Sequence, residues 1–385
     1  MVQIFLKHLV ALWGFEVRIQ KLTKEQNKVM ATFEVTIENI TVHPHPNADR
    51  LEYAQVGLFN VVVPKGKYVT GEEVFYIPEY AILPEGLIID LGLEGKLAGK
   101  KANRVKPVRL RGLVSQGLVA PLDTLDNVDR AKHNFAEDLN ISKWEPEIPA
   151  ALDGAVEHAA GLIRWIEIEN IKKFPNMFQP GEHVIIDEKI HGTCTAVTVI
   201  NPTSDNAKVM VASKGLGAKS LALIEAENNV YWRMFHAYNI REFATFIGTK
   251  YPNTDKVAIF GETYGNVQDL RYNLGSGLGF VLFDIRVQFS NGEFEWFAPE
   301  TTEALAREFG MPLAPRLYDG PYDIEVVEKL AYGAEQVSGA EAHIREGVIV
   351  RPAADNLDTK FEGSRKIGKF VSDDYLTRSG GTEYS

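Results

Sequence analysis

Asp187-Glu188-Lys189-Ile190-His191-Gly192-Thr193 separates two apolar runs, residues 183–186 and residues 196–200. Apolar runs of this length indicate β-strands, and the pattern predicts a hairpin-like pair of strands. An unpaired ammonium group is costly to bury, so a lysine between two strands requires a partner or a ligand. We therefore expect Lys189 to point into a cleft. A Lys-x-x-Gly sequence alone more often marks a surface lysine at a strand end, and the motifs downstream favour the cleft.

The composition is that of an ordinary globular protein. The chain has 385 residues, of which 45% are hydrophobic and 24% are charged, and its length predicts two domains. The net charge of −11 gives no overall sign of nucleic-acid binding, but it does not exclude a local basic patch. The single cysteine, Cys194, excludes an internal disulfide and favours a reducing, cytoplasmic location. We interpret Cys194 as a small buried residue.

Residues 1–30 are predicted to be an N-terminal extension. Lys7 and His8 interrupt their apolar residues, and no run approaches the roughly 18–20 residues that span a membrane. A small-residue cleavage site is also missing, so a secretory signal is not expected. We predict no membrane association.

Residues 31–122 have the pattern of an OB-like β-barrel. Short alternating runs, for example residues 53–63 and 73–77, are separated by proline and glycine turn signals. Many short strands at this spacing indicate a small barrel. His43 and His45 could suggest a metal site, but the prolines beside them favour a turn.

A basic run without acidic residues lies in the second half of this region, between Lys96 and Arg111. Its further basic residues are Lys100, Lys101, Arg104, Lys106 and Arg109. Lysines and arginines of this kind can bind a phosphate backbone without reading the base sequence. We predict a nucleic-acid contact surface here, and the alternative is a solvated loop.

Two further regions follow the predicted barrel. Residues 123–160 are predicted to be a linker with helical segments, interrupted by Pro146 and Pro149. Residues 161–385 are predicted to form the second domain.

Charged residues recur at the ends of the strands predicted in this second domain. They follow a glycine-rich loop at residues 213–217 and a long helical segment at about residues 220–247, whose aromatic residues we expect in the core. The conspicuous residues are, in order, Glu262, Phe283, Glu346, Lys366 and Lys369. Because neighbouring strand ends can line one cleft, we expect them to lie near Lys189.

In this order the motifs resemble those of the covalent nucleotidyltransferases, which include ATP-dependent DNA and RNA ligases and mRNA capping enzymes. Lys189-Ile190-His191-Gly192 resembles motif I of that superfamily. Glu262, Phe283 and Glu346 resemble motifs III, IIIa and IV, and Lys366 and Lys369 resemble motif V. The sequence Glu-Lys-Ile-His-Gly-Thr and the OB-like domain ahead of it are similar to nick-sealing ATP-dependent RNA ligases. The two motif V lysines are separated by two residues, whereas the family commonly has one.

The resemblance implies an α+β fold in which an OB-like barrel precedes an adenylyltransferase domain of antiparallel sheets. It implies that Lys189 attacks the α-phosphate of ATP and forms a lysyl-AMP, assisted by Lys366 and Lys369. Glu262 and Glu346 would hold Mg²⁺ or Mn²⁺, and Phe283 would stack on adenine. Further candidates for contacts with the nucleotide are Glu188, Lys172, Lys173 and Lys214.

The implied substrate is a pair of RNA ends, a 3′-hydroxyl and a 5′-phosphate, in a nicked duplex, and the implied enzyme acts as a monomer. Three alternatives remain open from the sequence. They are a DNA ligase, an mRNA capping guanylyltransferase, and a nucleic-acid-binding protein whose catalytic site has decayed.

Overall fold

The computed structural model describes residues 33–145, 152–354, 360–361 and 364–381. The predicted N-terminal extension and both prolines of the predicted linker lie outside these ranges. From Phe33 onward the chain forms one compact unit, in which a small barrel is joined to a larger domain of two sheets.

Two three-stranded sheets form the barrel and confirm the predicted OB-like fold. The first contains β1 (Thr36–Asn39), β5 (Glu73–Ile77) and β9 (Leu118–Pro121), and the second contains β2 (Thr41–Pro44), β3 (Leu51–Val56) and β4 (Phe59–Pro64). In addition, β6 (Ala81–Ile82) pairs with β10 (Ser142–Lys143), β7 (Val108–Leu110) pairs with β8 (Leu113–Ser115), and α1 spans Glu85–Asp90. Alternate residues of β3 and β4, among them Ala54, Val61 and Val63, point into the barrel.

Between residues 123 and 145, the structure differs from the predicted linker with helical segments. This stretch contains a 3-10 turn at Leu122–Thr124 and the short strand β10, with no α-helix among its described residues. Phe135 and Leu139 are buried in the barrel core, and the ring of Phe135 lies 5.1 Å from that of Phe75. Apolar residues of the stretch predicted to be a helical linker instead cover one end of the barrel.

The larger domain contains a seven-stranded and a five-stranded sheet. In spatial order, the first consists of β11 (Val156–His158), β16 (Leu221–Leu223), β15 (Lys208–Ser213), β14 (Gly192–Ile200), β17 (Thr254–Gly265), β18 (Leu278–Phe289) and β19 (Phe294–Trp296). The second consists of β12 (Glu169–Asn170), β24 (Gly368–Val371), β21 (Gly347–Pro352), β13 (His183–Lys189) and β20 (Arg316–Pro321). A further pair joins β22 (Lys360–Phe361) to β23 (Ser364–Arg365).

The helices of this domain are α2 (Lys214–Ala218), α3 (Val230–Ala237), α4 (Ile240–Lys250), α5 (Pro299–Phe309), α6 (Ile324–Ala331) and α7 (Asp373–Leu376). The long helix predicted at residues 220–247 is therefore wrong in extent: β16, α3 and α4 replace it, and Asn239 separates the helices in a left-handed conformation with φ of 49°. Its aromatic residues Trp232 and Phe243 are core residues, as predicted. None of the helices described is long and apolar enough to span a membrane.

The two strands that flank Lys189 do not pair with each other. The first, β13, lies between β20 and β21 in the five-stranded sheet, and the second, β14, lies between β15 and β17 in the seven-stranded sheet. The predicted hairpin is therefore wrong, because apolar patterning identifies strands without identifying their partners. The turn after Lys189 crosses from one sheet to the other.

Strand alternation divides the residues of β13 between two environments. Val184 and Ile186 pack into a core cluster with residues of β21, β24 and α6. Asp187, on the opposite face, accepts a hydrogen bond at 2.9 Å from Arg351, whose guanidinium also donates to the backbone oxygen of Phe283 in the seven-stranded sheet. The face that carries Asp187 and Lys189 is thus the face directed toward the other sheet.

Lys172 fastens the barrel to the larger domain. It is 5% exposed, and its Nζ donates to Oδ1 of Asp373 at 2.7 Å and to Oε1 of Gln116, a barrel residue, at 3.0 Å. The backbone oxygen of Lys172 accepts a hydrogen bond from Leu58 at 2.7 Å. Gly57 has no room for a side chain here, since a Cβ would lie 2.5 Å from that oxygen.

Candidate active site

Lys189 and Glu346 meet at the end of the five-stranded sheet. Lys189 ends β13 and pairs with Gly347, the first residue of β21. The Nζ of Lys189 lies 2.5 Å from Oε1 of Glu346, and the side chains are 25% and 5% exposed, respectively. The two residues are far apart along the chain, and the pairing of β13 with β21 brings them together as an ion pair.

Glu262 approaches from the seven-stranded sheet, where it is the cross-strand partner of Cys194. Gly192 makes this approach feasible, since a Cβ there would lie 2.2 Å from the backbone oxygen of Thr263 and 3.0 Å from Cγ of Glu262. Cys194 is half-buried, not fully buried as predicted from the sequence. Burial, and then the negative charge of Glu262, raise the pKa of its thiol.

A cluster of positive charge completes this part of the cleft. Lys369 pairs with Ile349 in the register of β24 and β21. Burial lowers the pKa of Lys369, and the positive charges of Lys214 and Lys189 lower it further. The Nζ of Lys214 lies 2.7 Å from Oε2 of Glu167. The positive charges of Lys189 and Lys214 therefore act on the ammonium group of Lys369.

Glu167 was missed by the sequence analysis. It lies outside the strands and 47 residues before Lys214 in the chain, so nothing local in the sequence indicated their contact. The glycine-rich loop predicted at residues 213–217 is instead α2, whose N-terminus is capped by Ser213 through a 3.2 Å bond from Leu216.

The structure distinguishes the two motif V lysines. The Nζ of Lys366 lies 2.7 Å from both carboxylate oxygens of Glu182 and 5.1 Å from the ring centroid of Phe178. Lys369, by contrast, is influenced by Lys189 and Lys214. Lys369 lies opposite Ile349, which lies opposite Asp187 of β13, so Lys369 is the motif V lysine on the same sheet face as Asp187 and the predicted nucleophile.

Phe283 lies at an irregularity of β18. In the pairing with β17, Asp284 is opposite Phe260 and Leu282 is opposite Gly261, so Phe283 is the extra residue of a β-bulge. Its ring centroid lies 4.9 Å from that of Trp165. Ile349 of the five-stranded sheet packs on the same apolar cluster.

A cavity of about 210 Å³ adjoins Phe283. Asp187, Pro315, Arg316 and Arg351 are among its other lining residues. It lies beside β13, two residues before Lys189.

The structure corrects the prediction for Glu188. Its side chain is on the opposite face of β13 from Lys189, where Oε2 accepts hydrogen bonds from the backbone of Gln336 at 2.8 Å and from Arg345 at 3.3 Å. Burial raises the pKa of Glu188 to about 7. Adjacent strand residues point to opposite faces, so a contact between the Glu188 side chain and the nucleotide is not supported.

Lys172 and Lys173 are also misplaced in the prediction of nucleotide contacts. The ammonium group of Lys172 is buried against Asp373 and Gln116, and that of Lys173 lies 3.4 Å from Glu34 of the barrel. The pair of basic residues holds the two domains together, and a basic pair close in sequence to the motif gave a misleading signal.

The basic run of the barrel is largely on the surface. Its exposed residues are Lys96, Lys100, Lys101, Lys106, Arg109 and Arg111. Arg104 is wrong as a phosphate contact, because it is 5% exposed and its guanidinium lies 4.1 Å from the ring centroid of Trp144. Arg109 donates to Asp374 of α7 at 3.0 Å, so this surface is adjacent to the larger domain.

His191 is 1% exposed and is bonded through its backbone and its ring. The ring contacts Asp269 and Tyr375, and the backbone nitrogen donates to the hydroxyl of Tyr272 at 2.6 Å. These partners were missed by the sequence analysis, since nothing local connects residues so distant in the chain.

The described residues contain no cluster of three or more His, Cys, Asp or Glu side chains that could hold a metal ion. Glu262 and Glu346 nevertheless suit a hard divalent cation, because carboxylate oxygens are the ligands that Mg²⁺ and Mn²⁺ prefer and Mg²⁺ usually retains water and phosphate ligands.

A lysine and two glutamates lie at the junction of two mainly antiparallel sheets, in a domain that follows a barrel in the chain. This arrangement is that of a nucleotidyltransferase-type catalytic domain. Residues 182–371 match the family model of RNA ligases, and residues 34–122 match that of an OB-fold domain. Residues 182–371 therefore form a domain of the RNA ligase family, and an OB-fold domain precedes it. The DNA ligase and capping-enzyme alternatives are not favoured.

Solved structures of the Naegleria gruberi RNA ligase share this fold. A mutant with ATP and Mn matches at a TM-score of 0.71 and 22% identity, covering 89% of this chain and 98% of that chain. The same ligase with PPi matches at a TM-score of 0.71 and 22% identity, covering 90% of this chain and 98% of that chain. A mutant with AMP and Mn matches at a TM-score of 0.72 and 21% identity, covering 90% of this chain and 98% of that chain. No curated protein matches the chain in sequence.

Proposed function

We propose that the chain is an ATP-dependent RNA ligase that joins a 3′-hydroxyl to a 5′-phosphate through lysyl-AMP. The observation that carries the proposal is the 2.5 Å contact of Lys189 with Glu346, on a sheet face that also carries Lys369. This arrangement offers a nucleophile, a metal-binding carboxylate and fixed positive charge at one point. The Naegleria gruberi ligase structures with ATP, AMP and PPi support the choice of nucleotide.

In the first step, Nζ of Lys189 attacks the α-phosphorus of ATP. A P–N bond forms, the bond from the α-phosphorus to the bridging oxygen breaks, and pyrophosphate leaves. A lysine attacks only as the neutral amine, so Nζ must first lose a proton. The positive charges of Lys369 and Lys214 oppose an ammonium ion at this point, whereas the carboxylate of Glu346 stabilises it.

Glu262 and Glu346 are the residues that would hold the divalent ion. When bound, Mg²⁺ or Mn²⁺ offsets the negative charge that develops on the α-phosphate. Glu346 is already paired with Lys189, and Glu262 approaches from the other sheet. The two carboxylates therefore connect the sheets on either side of the nucleophile.

The adenine base has an aromatic partner in Phe283. Phe283 and Ile349 come from opposite sheets and pack on one cluster, so a planar base could lie between them. The adjoining cavity reaches Asp187, two residues before the nucleophile. This position would leave the α-phosphate near Lys189.

Two further transfers complete the reaction. An oxygen of the RNA 5′-phosphate attacks the AMP phosphorus, the P–N bond breaks, and Lys189 is regenerated with a proton. The RNA 3′-hydroxyl then attacks the activated 5′-phosphate, loses its proton, and AMP leaves. Lys369 provides fixed positive charge for the phosphates in each transfer.

We further propose that the RNA ends lie in a nicked duplex and that the exposed basic run of the barrel contacts its phosphates. One chain carries both the cleft and this basic surface, which supports action as a monomer. The single cysteine supports a cytoplasmic location.

Labelled nucleotides test the proposal. The protein is incubated with α-labelled ATP or GTP and a divalent metal, and the adduct is then challenged with nicked RNA, nicked DNA and single-stranded RNA. We expect an AMP adduct that is consumed as nicked RNA is sealed. A GMP adduct, or the absence of both adduct and sealing, would contradict the proposed function.

A further inference from the structure

The turn that follows Lys189 is held by two segments outside the sequence motifs. One is the loop at residues 268–272, and the other consists of α7 and the residues that follow it, to Arg378. Both converge on His191, whose side chain is 1% exposed.

Both ring nitrogens of His191 have hydrogen-bond partners. Nε2 lies 3.0 Å from Oδ1 of Asp269, and Nδ1 lies 2.7 Å from the hydroxyl of Tyr375. A carboxylate only accepts, so Nε2 carries the hydrogen; in the neutral ring, Nδ1 then accepts from the Tyr375 hydroxyl. With both nitrogens engaged and the ring buried, His191 is not placed to transfer protons or to bind a metal.

Arg378 closes the group of contacts. It donates from Nε to Oδ2 of Asp269 at 2.8 Å and from Nη2 to Oδ1 at 3.0 Å. Its guanidinium also lies 3.7 Å from the ring centroid of Tyr375. His191, Asp269, Arg378 and Tyr375 therefore form a closed ring of contacts, and such mutual contacts fix the rotamer of each member.

The backbone of the turn is held from the same side. The nitrogen of His191 donates to the hydroxyl of Tyr272 at 2.6 Å, and Gln268 donates to the oxygen of Gly192. Tyr272 has φ of 50°, a conformation that bulky residues rarely adopt and that persists only where surrounding contacts impose it. The loop is thus constrained where it meets the turn.

We propose that Asp269, Tyr375 and Arg378 are positioning residues for formation of lysyl-AMP, and that they act through His191. This inference rests on the proposed function. Because β13 and β14 belong to different sheets, no strand pairing fixes the turn between them. The side-chain contacts of His191 supply that constraint, and they hold Lys189 in line with the α-phosphate.

Conservative variants test the proposal. Tyr375→Phe removes one hydroxyl and keeps the ring, and Asp269→Asn removes a charge and keeps the size. Tyr318→Phe is the matched control, because the Tyr318 hydroxyl donates at 3.0 Å to the backbone oxygen of Pro321, within β20 and away from His191. The measurements are the single-turnover rate of lysyl-AMP formation at saturating ATP, the ATP concentration for half-maximal rate, and the melting temperature.

We expect each test variant to lose roughly ten- to hundredfold in rate, as small misplacements of reacting groups do. The ATP concentration for half-maximal rate should change by less than about threefold, because nucleotide contacts are intact. The double variant should lose less than the product of the single losses, since both changes act through one ring. Tyr318→Phe should match the wild type.

Wild-type rates in Tyr375→Phe and Asp269→Asn would overturn the proposal. So would rate losses that merely follow a fall in melting temperature, since these would indicate a general structural role. If the wild-type protein formed no adduct, the proposed function itself would fail. That result is distinct from the two outcomes that would overturn only the role of the positioning residues.

Discussion

The Nζ of Lys189 and the Oε1 of Glu346 are 2.5 Å apart, and the glutamate side chain is 5% exposed. The residues are far apart in sequence and meet because β13 pairs with β21. The carboxylate that pairs with the lysine is also one of the two proposed metal ligands. Binding of a metal at Glu346 would therefore be coupled to release of the amine for attack.

Glu346→Gln and Glu262→Gln should each lower lysyl-AMP formation by roughly a hundredfold or more, because each removes a carboxylate while preserving its shape. Glu300→Gln, at an exposed position in α5, should have no effect. The adduct is measured over a titration with Mg²⁺ or Mn²⁺. Full adduct formation in excess chelator would contradict the metal assignment.

Lys369→Ala should reduce lysyl-AMP formation by at least about tenfold, because it removes fixed charge near the α-phosphate. Lys366→Ala should stay within about threefold of the wild type, since its ammonium group bonds to Glu182. The two variants are compared in the same adduct assay. The reverse order of effects would show that Lys366 is the functional motif V lysine.

The exposed basic residues of the barrel should serve RNA binding and leave adenylylation unchanged. Combined substitution of Lys100, Lys101 and Lys106 by alanine should weaken sealing of nicked RNA. It should also lower the salt dependence of binding by about one slope unit for each lost phosphate contact. Lys132→Ala, elsewhere on the barrel, is the control.

Equal losses of adenylylation and sealing in this variant would count against a separate RNA surface. Arg104→Ala should behave differently and lower the melting temperature, because the Arg104 side chain is buried and packs on Trp144.

Glu188 should make the stability of the protein depend on pH. Burial raises its pKa to about 7, above its ordinary value, so the folded state binds this proton more tightly than the unfolded state. The contribution is fully present below the ordinary pKa of a glutamate and is lost as pH rises through about 7. Melting temperatures of Glu188→Gln should fall less over this range than those of the wild type. Parallel pH profiles would exclude this assignment.

Strand patterns and motif order were sufficient to predict the barrel, the strands on either side of Lys189, and the α+β class. They were insufficient for the pairing of those strands, because each partner lies far along the chain. The predicted hairpin failed for this reason. The same limit applies to the helical linker, where Phe135 and Leu139 cover the barrel.

Among the proposed site residues, chemistry-bearing motifs led to Lys189, Glu262, Glu346 and Lys369. The structure pairs Lys189 with Glu346, and the other two lie on neighbouring strands of the two sheets. Glu188 and Lys172 were wrongly predicted to contact the nucleotide because they are close to Lys189 in sequence. The side chain of Glu188 lies on the opposite face of its strand, and that of Lys172 is buried against the barrel. The contacts of His191 could not be predicted, because they depend on where two distant segments fold.

The most direct test of the central claim is the site of adenylylation. The wild-type protein, Lys189→Arg and Lys189→Ala are incubated with ATP and Mg²⁺, and the adduct is located by peptide mass spectrometry. We predict one AMP on Lys189 in the wild type and none in either variant, with unchanged melting temperatures, because arginine keeps the charge but does not deprotonate at working pH. AMP on another residue, or an adduct that persists in Lys189→Arg, would contradict the account.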